Sequence, residues 1–184
     1  MTQRIATVAV VGSATVAPRD RSYRLARRLG EALVQQGFRV ITGGRTGVME
    51  AACRGAHDAE SYTEGRTVGV LPGHDPDEAN RWVDVVLPTG LSIARNAIIA
   101  HSDGLVAVGG GSGTLSEVAM AWKLGRPIIA LEADGISQRI AGEPIDDRPG
   151  PEDDQIWSID SPVEAARLME RLVKQAATAR REIR

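Results

Sequence analysis

Aliphatic runs of strand length alternate with segments of helical period along nearly the whole chain. The runs at 5–11, 38–42, 67–71, 83–87, 104–108 and 127–131 carry little polar alternation, the mark of strands buried on both faces. Between the first two, Leu25, Leu29, Ala32 and Leu33 recur at i, i+4, i+7 and i+8 within 22–36, and Gly37 suits the left-handed position just past a helix. Helices are likewise predicted over 46–59, 91–102 and 114–124, the last with Leu115, Val118, Ala119 and Trp122 on one stripe and Gly125 after it. Ser161-Pro162-Val163-Glu164 combines a capping-box serine and glutamate with proline at the first helical position. It launches a helix through Val163, Ala166, Leu168, Leu172 and Val173, whose basic tail of Arg180, Arg181 and Arg184 suits the negative end of the dipole. Such alternation predicts an α/β fold, a doubly wound parallel sheet flanked by helices.

One segment breaks the rhythm. Residues 134–155 are rich in Asp, Glu, Gly and Pro, with Ile136, Ile140 and Ile145 as the large apolar positions, and they read as a loop or lid. At 184 residues the chain fits one domain, 1–184, without an internal repeat. Only 3% of residues are aromatic, so the core is expected to be Val, Ile, Leu and Ala, while the 20 glycines gather at the ends of apolar runs. A net charge of −2 with interspersed signs argues against nucleic acid or a membrane surface as partner. A lone cysteine excludes an internal disulfide, and residues 1–16 do not order themselves as a signal peptide; the expected compartment is the cytoplasm.

In an open parallel sheet, ligands bind beyond the carboxyl ends of the strands, so the residues following each run are the informative ones. They are Gly12-Ser13-Ala14, Thr42-Gly43-Gly44-Arg45-Thr46-Gly47-Val48-Met49, Pro72-Gly73, and Gly109-Gly110-Gly111-Ser112-Gly113-Thr114-Leu115-Ser116-Glu117. The last opens a helix, where unpaired amides and the dipole favour a phosphate that glycines let approach closely, with Thr114 adding a hydroxyl. It is neither a Walker A loop, which needs a lysine, nor a G-x-G-x-x-G fingerprint. A tight strand-to-helix turn would account for one or two of these glycines, but not for so many in two loops.

Glu117, in the first turn, is favoured there by the dipole alone, yet a carboxylate beside a phosphate pocket is also placed to hold ribose hydroxyls or orient a water. Arg95, at the start of an otherwise apolar helix, is placed to grip phosphate; Arg45 has a similar but weaker argument. His57, His74 and His101 show no metal spacing, with one another or with Cys53, and no metal site is expected. Cys53 reads as a small core residue.

The two glycine motifs together resemble the paired signature of the LOG-like superfamily, over roughly residues 8–131. That superfamily includes cytokinin-activating phosphoribohydrolases, proteins formerly labelled lysine decarboxylases, and molybdenum cofactor carriers. The resemblance implies a Rossmann-like fold, a homodimer or higher homo-oligomer, and a nucleotide or pterin phosphate bound on the glycine loops. The implied contacts are Gly12, Ser13, Gly43, Gly44, Arg45, Gly47, Val48, Met49, Gly110, Gly111, Ser112, Gly113 and Thr114.

The phosphoribohydrolases carry Pro-Gly-Gly-x-Gly-Thr-x-x-Glu and an Arg-Lys pair on the preceding helix, the arginine and the final glutamate being catalytic. Glu117 matches that glutamate. Gly109 stands in place of the proline, and an ungapped alignment through His101-Ser102-Asp103 sets Arg95 over the lysine and Ala94 over the arginine. Thr42-Gly43-Gly44-Arg45, residues 67–73 and 89–96, and Val106-Ala107-Val108-Gly109 are similar instead to the molybdenum cofactor carrier branch.

Two readings follow: a carrier holding molybdenum cofactor or a nucleotide as ligand, or a nucleoside 5′-monophosphate phosphoribohydrolase using Glu117 and Arg95 with no cofactor. Pyridoxal-dependent lysine decarboxylation is disfavoured, because Lys123 and Lys174 fall on helices away from the glycine loops.

Overall fold

The computed structural model describes residues 4–147 and 155–182. Its sheet has seven strands, all parallel, in the order β4-β3-β2-β1-β5-β6-β7. They are β1 (Thr7–Gly12), β2 (Arg39–Thr42), β3 (Thr67–Leu71), β4 (Val85–Pro88), β5 (Gly104–Val108), β6 (Ile128–Leu131) and β7 (Trp157–Ile159). The helices are α1 (Arg21–Gln35), α2 (Val48–Asp58), α3 (Asn96–Ala100), α4 (Ser112–Lys123), α5 (Ile136–Ile140) and α6 (Pro162–Glu182). This is the Rossmann-like, doubly wound arrangement expected from the alternation of runs.

The pleat explains why those runs lack polar residues. In β1, Val8 and Val10 point into the layer shared with α1, α2 and α6, while Ala9 and Val11 point into the layer with α3 and α4. Val106 and Val108 against Leu105 and Ala107 repeat the division in β5, and Ile129 and Leu131 against Ile128 and Ala130 in β6. With helices on both sides, each position of such a strand is removed from water. The capping signals also act as expected: Gly37 follows α1 at φ +85°, and the Ser161 hydroxyl accepts the Glu164 amide at 3.4 Å at the start of α6.

Four expectations need correcting. The run at 83–87, read as a strand buried on both faces, forms the edge strand β4, in which Val85, Leu87 and Pro88 are exposed. The helix predicted over 91–102 is instead a 3-10 turn, Ser92–Arg95, entered through Ser92 at φ +49° and running directly into the five-residue α3. Within 134–155 the chain forms the short helix α5 rather than a continuous loop. The described part lies against the body, through Gly142 N–H to the Ile156 carbonyl at 2.7 Å and Trp122 Nε1 to Asp146 at 3.1 Å. Residues 148–154 of that segment lie outside the described residues, as does Arg184 of the basic tail. Finally, Trp157–Ile159 adds a seventh strand that is too short for periodicity to reveal.

Candidate functional site

The order of the sheet reverses between β1 and β5: the chain builds outward from β1 through β2, β3 and β4, then returns to β1's other side. A crevice opens at such a switch point beyond the carboxyl ends of the strands. Gly12 pairs with Val108, so the loops after β1 and β5 leave the sheet side by side. The second glycine loop is tied to the first, by Thr46 Oγ1 to the Ala14 carbonyl at 2.8 Å and the Val48 amide to the Ser13 carbonyl at 2.9 Å. Three of the four predicted loops therefore meet at one edge, while the Pro72 and Gly73 carbonyls of the fourth accept the Ser92 and Gly90 amides, each at 2.9 Å.

At this edge α4 begins on Gly111 with no side-chain cap, and the amides of Ser112, Gly113 and Thr114 have no acceptor among the described residues. Helices α1 and α2 start at the same edge, also without side-chain caps. A Cβ built on Gly111 or Gly113 meets nothing within 4 Å, so the fold itself does not require glycine at either position. The open space and the uncapped amides at the positive end of the helix are what an approaching anion would meet.

Arg95 and Glu117 flank this region. Arg95 is half-buried, and its Nη1 donates to the Gly43 carbonyl at 2.5 Å and to the Val70 carbonyl. A Cβ on Gly43 would lie 2.5 Å from Nη1 and 2.7 Å from the Met49 sulfur, so the arginine's placement explains that glycine. Burial pushes the guanidinium pKa down; the Glu117 charge opposes this and the Arg45 charge adds to it. Because α4 already begins at Ser112, Glu117 lies in its second turn and not, as expected, in its first. It is only 8% exposed, and its carboxyl accepts no hydrogen bond from a described residue. Burial pushes it up to about 7, while Arg95 pulls it down. Arg45 is exposed and 3.9 Å from the Glu78 carboxylate.

Residues 5–166 match the SLOG cluster4 family. The chain belongs to that family. A solved molybdenum cofactor binding protein from Rippkaea orientalis is similar, with 34% identity, 94% of this chain and 99% of that one covered, and a TM-score of 0.77. So is the molybdenum cofactor carrier protein of Chlamydomonas reinhardtii, at 30% identity with the same coverage and a TM-score of 0.75. An uncharacterized protein of Archaeoglobus fulgidus is 41% identical over 114 residues, 61% of this chain and 72% of that protein. DNA processing protein A of Helicobacter pylori, at 17% identity and a TM-score of 0.64, covering 90% of this chain and 80% of that one, shares the fold alone.

In this SLOG domain the candidate residues divide by what they can offer. Gly111, Ser112 and Gly113 are exposed at the crevice, whereas Val48 and Met49 are buried, their side chains packed against Gly12 and Gly43. The Val48 amide is already committed to Ser13.

Sequence reasoning did not single out the side chains that hold the loops. Asn80 donates from Nδ2 to the Gly44 and Arg45 carbonyls at 3.0 and 2.9 Å. Asn96 donates to Ser116 Oγ at 2.8 Å, and Ser116 in turn to the Gly113 carbonyl at 2.7 Å, joining the Arg95 turn to α4. The Asn96 side chain is 6% exposed, and a buried amide next to the glycine helix was the available signal. Cys53 is fully buried, its thiol pushed up to about 12 by burial, which leaves it protonated and unreactive. No helix among the described residues is long and apolar enough to cross a membrane.

Proposed function

We propose that this protein binds a phosphorylated small molecule at the N-terminus of α4 and acts as a carrier of the molybdenum cofactor type. The observation that carries the reading is the uncapped start of α4, with Gly111 and Gly113 open where a side chain would otherwise stand. In this role Gly110 to Thr114 hold the phosphate, Gly12, Ser13 and the 43–47 loop form the neighbouring walls, and Arg45 and Arg95 supply positive charge. Similarity to carriers over nearly the whole chain supports the pterin as cargo. Native mass spectrometry with molybdopterin and with AMP tests it. Retained pterin with AMP left intact is the expected outcome, and pterin failing to bind while AMP binds would overturn the carrier role.

A second reading rests on Glu117. A buried carboxyl without a hydrogen-bond donor, beside an arginine and one turn from the phosphate loop, suits hydrolysis of a nucleoside 5′-monophosphate. Water would add at ribose C1′ as the glycosidic bond breaks, giving free base and ribose 5-phosphate. The ionised Glu117 would stabilise the cationic sugar and orient the water. Adenine released from AMP and lost in Glu117→Gln would establish it. Against it, Arg95 Nη1 is already engaged by two main-chain carbonyls.

The carrier reading includes a homo-oligomer. Every exposed large hydrophobic side chain among the described residues falls between 85 and 124: Val85, Leu87, Leu91, Ile93, Ile98, Leu115, Met120 and Leu124. The charged residues of the 3-10 turn, α3 and α4 before Lys123 are Arg95 and Glu117, both turned inward. An apolar, uncharged face of this kind suits a second copy of itself better than a charged partner.

A further inference from the structure

The two glycines that open the β5–α4 loop do not hold their conformation alone. Gly110 lies at φ +89° and follows Gly109 at φ +63°. Both carbonyls turn away from the crevice and accept amides from the start of α5: Ile136 N–H to Gly110 at 3.0 Å and Ser137 N–H to Gly109 at 3.1 Å. The Ser137 hydroxyl completes the junction. It accepts the Gly109 amide at 2.8 Å and donates its one proton to the Leu131 carbonyl at 2.8 Å or the Ala133 carbonyl at 3.0 Å. Ser137 is fully buried. The fit is close, because a Cβ on Gly135, itself at φ +121°, would lie 2.6 Å from the Gly110 carbonyl oxygen.

We propose that Ser137, with the β6–α5 corner around it, is the positioning residue of the anion loop: it locks Gly109 and Gly110 so that the amides of residues 111–114 remain available to the ligand. This rests on the anion-site reading above. The physical reason is that glycines in tandem are entropically costly to order, and a loop whose amides are to meet an anion cannot bond those same amides to the protein. Its carbonyl side is the remaining handle, and α5 occupies that side. The start of the segment after β6, which composition alone suggests as a lid, acts at α5 as a brace from behind.

The test compares Ser137→Ala, Ser137→Thr and wild-type protein in titration calorimetry with inorganic phosphate and with AMP, beside amide hydrogen exchange of the ligand-free proteins. Removing the hydroxyl leaves the buried Gly109 amide unpaired, and we expect roughly three- to tenfold weaker binding of both probes. Faster exchange confined to residues 109–114 should accompany it, with recovery toward wild type in Ser137→Thr, which keeps the hydroxyl. Val173→Ala, in α6 on the other side of the sheet, controls for general destabilisation and should lower Tm while leaving affinity unchanged. Ser137→Ala binding within twofold of wild type, or weakened no more than a Val173→Ala protein of equal Tm, overturns the proposal. If wild type binds neither probe, the anion-site reading fails and hydrogen exchange still decides the brace. Acceleration confined to 109–114 upholds it, and acceleration spread over the sheet or none at all refutes it.

Discussion

Glu117 is the residue at which burial and function pull in opposite directions. Its carboxyl titrates near 7 in the folded protein because burial penalises the charge, against an ordinary value of 4.5. The folded state therefore binds this proton more tightly than the unfolded chain does. The stability this contributes is complete below about pH 4.5 and is lost as pH rises through 7. Glu117→Gln removes the linkage, so its stability relative to wild type should improve between pH 5 and pH 8.5, by up to roughly 3 kcal/mol. Urea denaturation at several pH values measures this, and an offset between the two proteins that does not change with pH would refute it. The glutamate was legible in the sequence from its place after the glycine motif. Its missing hydrogen-bond partner was not, since that depends on what Arg95 does, and Arg95 spends Nη1 on two carbonyls.

At the scale of elements, the glycines of the β5–α4 loop separate into two kinds. Gly111 has φ −130°, which any residue adopts, and open space where a Cβ would be. Gly110 has φ +89°, with the Thr114 side chain directly in the way of a Cβ. Gly111→Ala should therefore leave stability within about 0.5 kcal/mol of wild type while weakening phosphate binding at least tenfold. Gly110→Ala should destabilise the fold by roughly 1–2 kcal/mol or more. Thermal unfolding beside phosphate titration separates them, and a Gly111→Ala protein that binds phosphate normally would remove the main support for the anion site.

The same scale explains the elements that periodicity misjudged. Ser92 at φ +49° keeps the first turn of what reads as one helix from being α-helical, and α5 and β7 are each too short to establish a period. Both are set by neighbours distant in sequence: the hydrogen bonds at Gly109 and Gly110 for α5, and pairing with β6 for β7.

For the whole molecule, the gathering of exposed apolar side chains between 85 and 124 bears on assembly. Helices α1, α2 and α6 close one side of the sheet, while the other is covered by α3, α4 and α5, of which α3 and α5 have five residues each. The thinner cover leaves Ile93 70% exposed and Leu91 48% exposed. If a second copy covers this face, sedimentation should give a mass above that of one chain, and Ile93→Glu should shift it to the monomer with the fold retained. A monomeric wild-type protein would reject the assembly.

By itself the amino-acid sequence determined six of the seven strands, the long helices and the position of the glycine loops, because these follow from local preference, from unbroken apolar runs and from burial patterns that recur every 3.6 residues. Tertiary structure alone decided which carbonyls Arg95 would satisfy, which amides α4 would leave unpaired, and that Ser137 would reach Gly109 across 28 positions of chain. Hydrogen bonds between residues so far apart leave no period in the sequence. They depend on the order in which strands lie side by side, and that order is settled by packing the whole sheet at once.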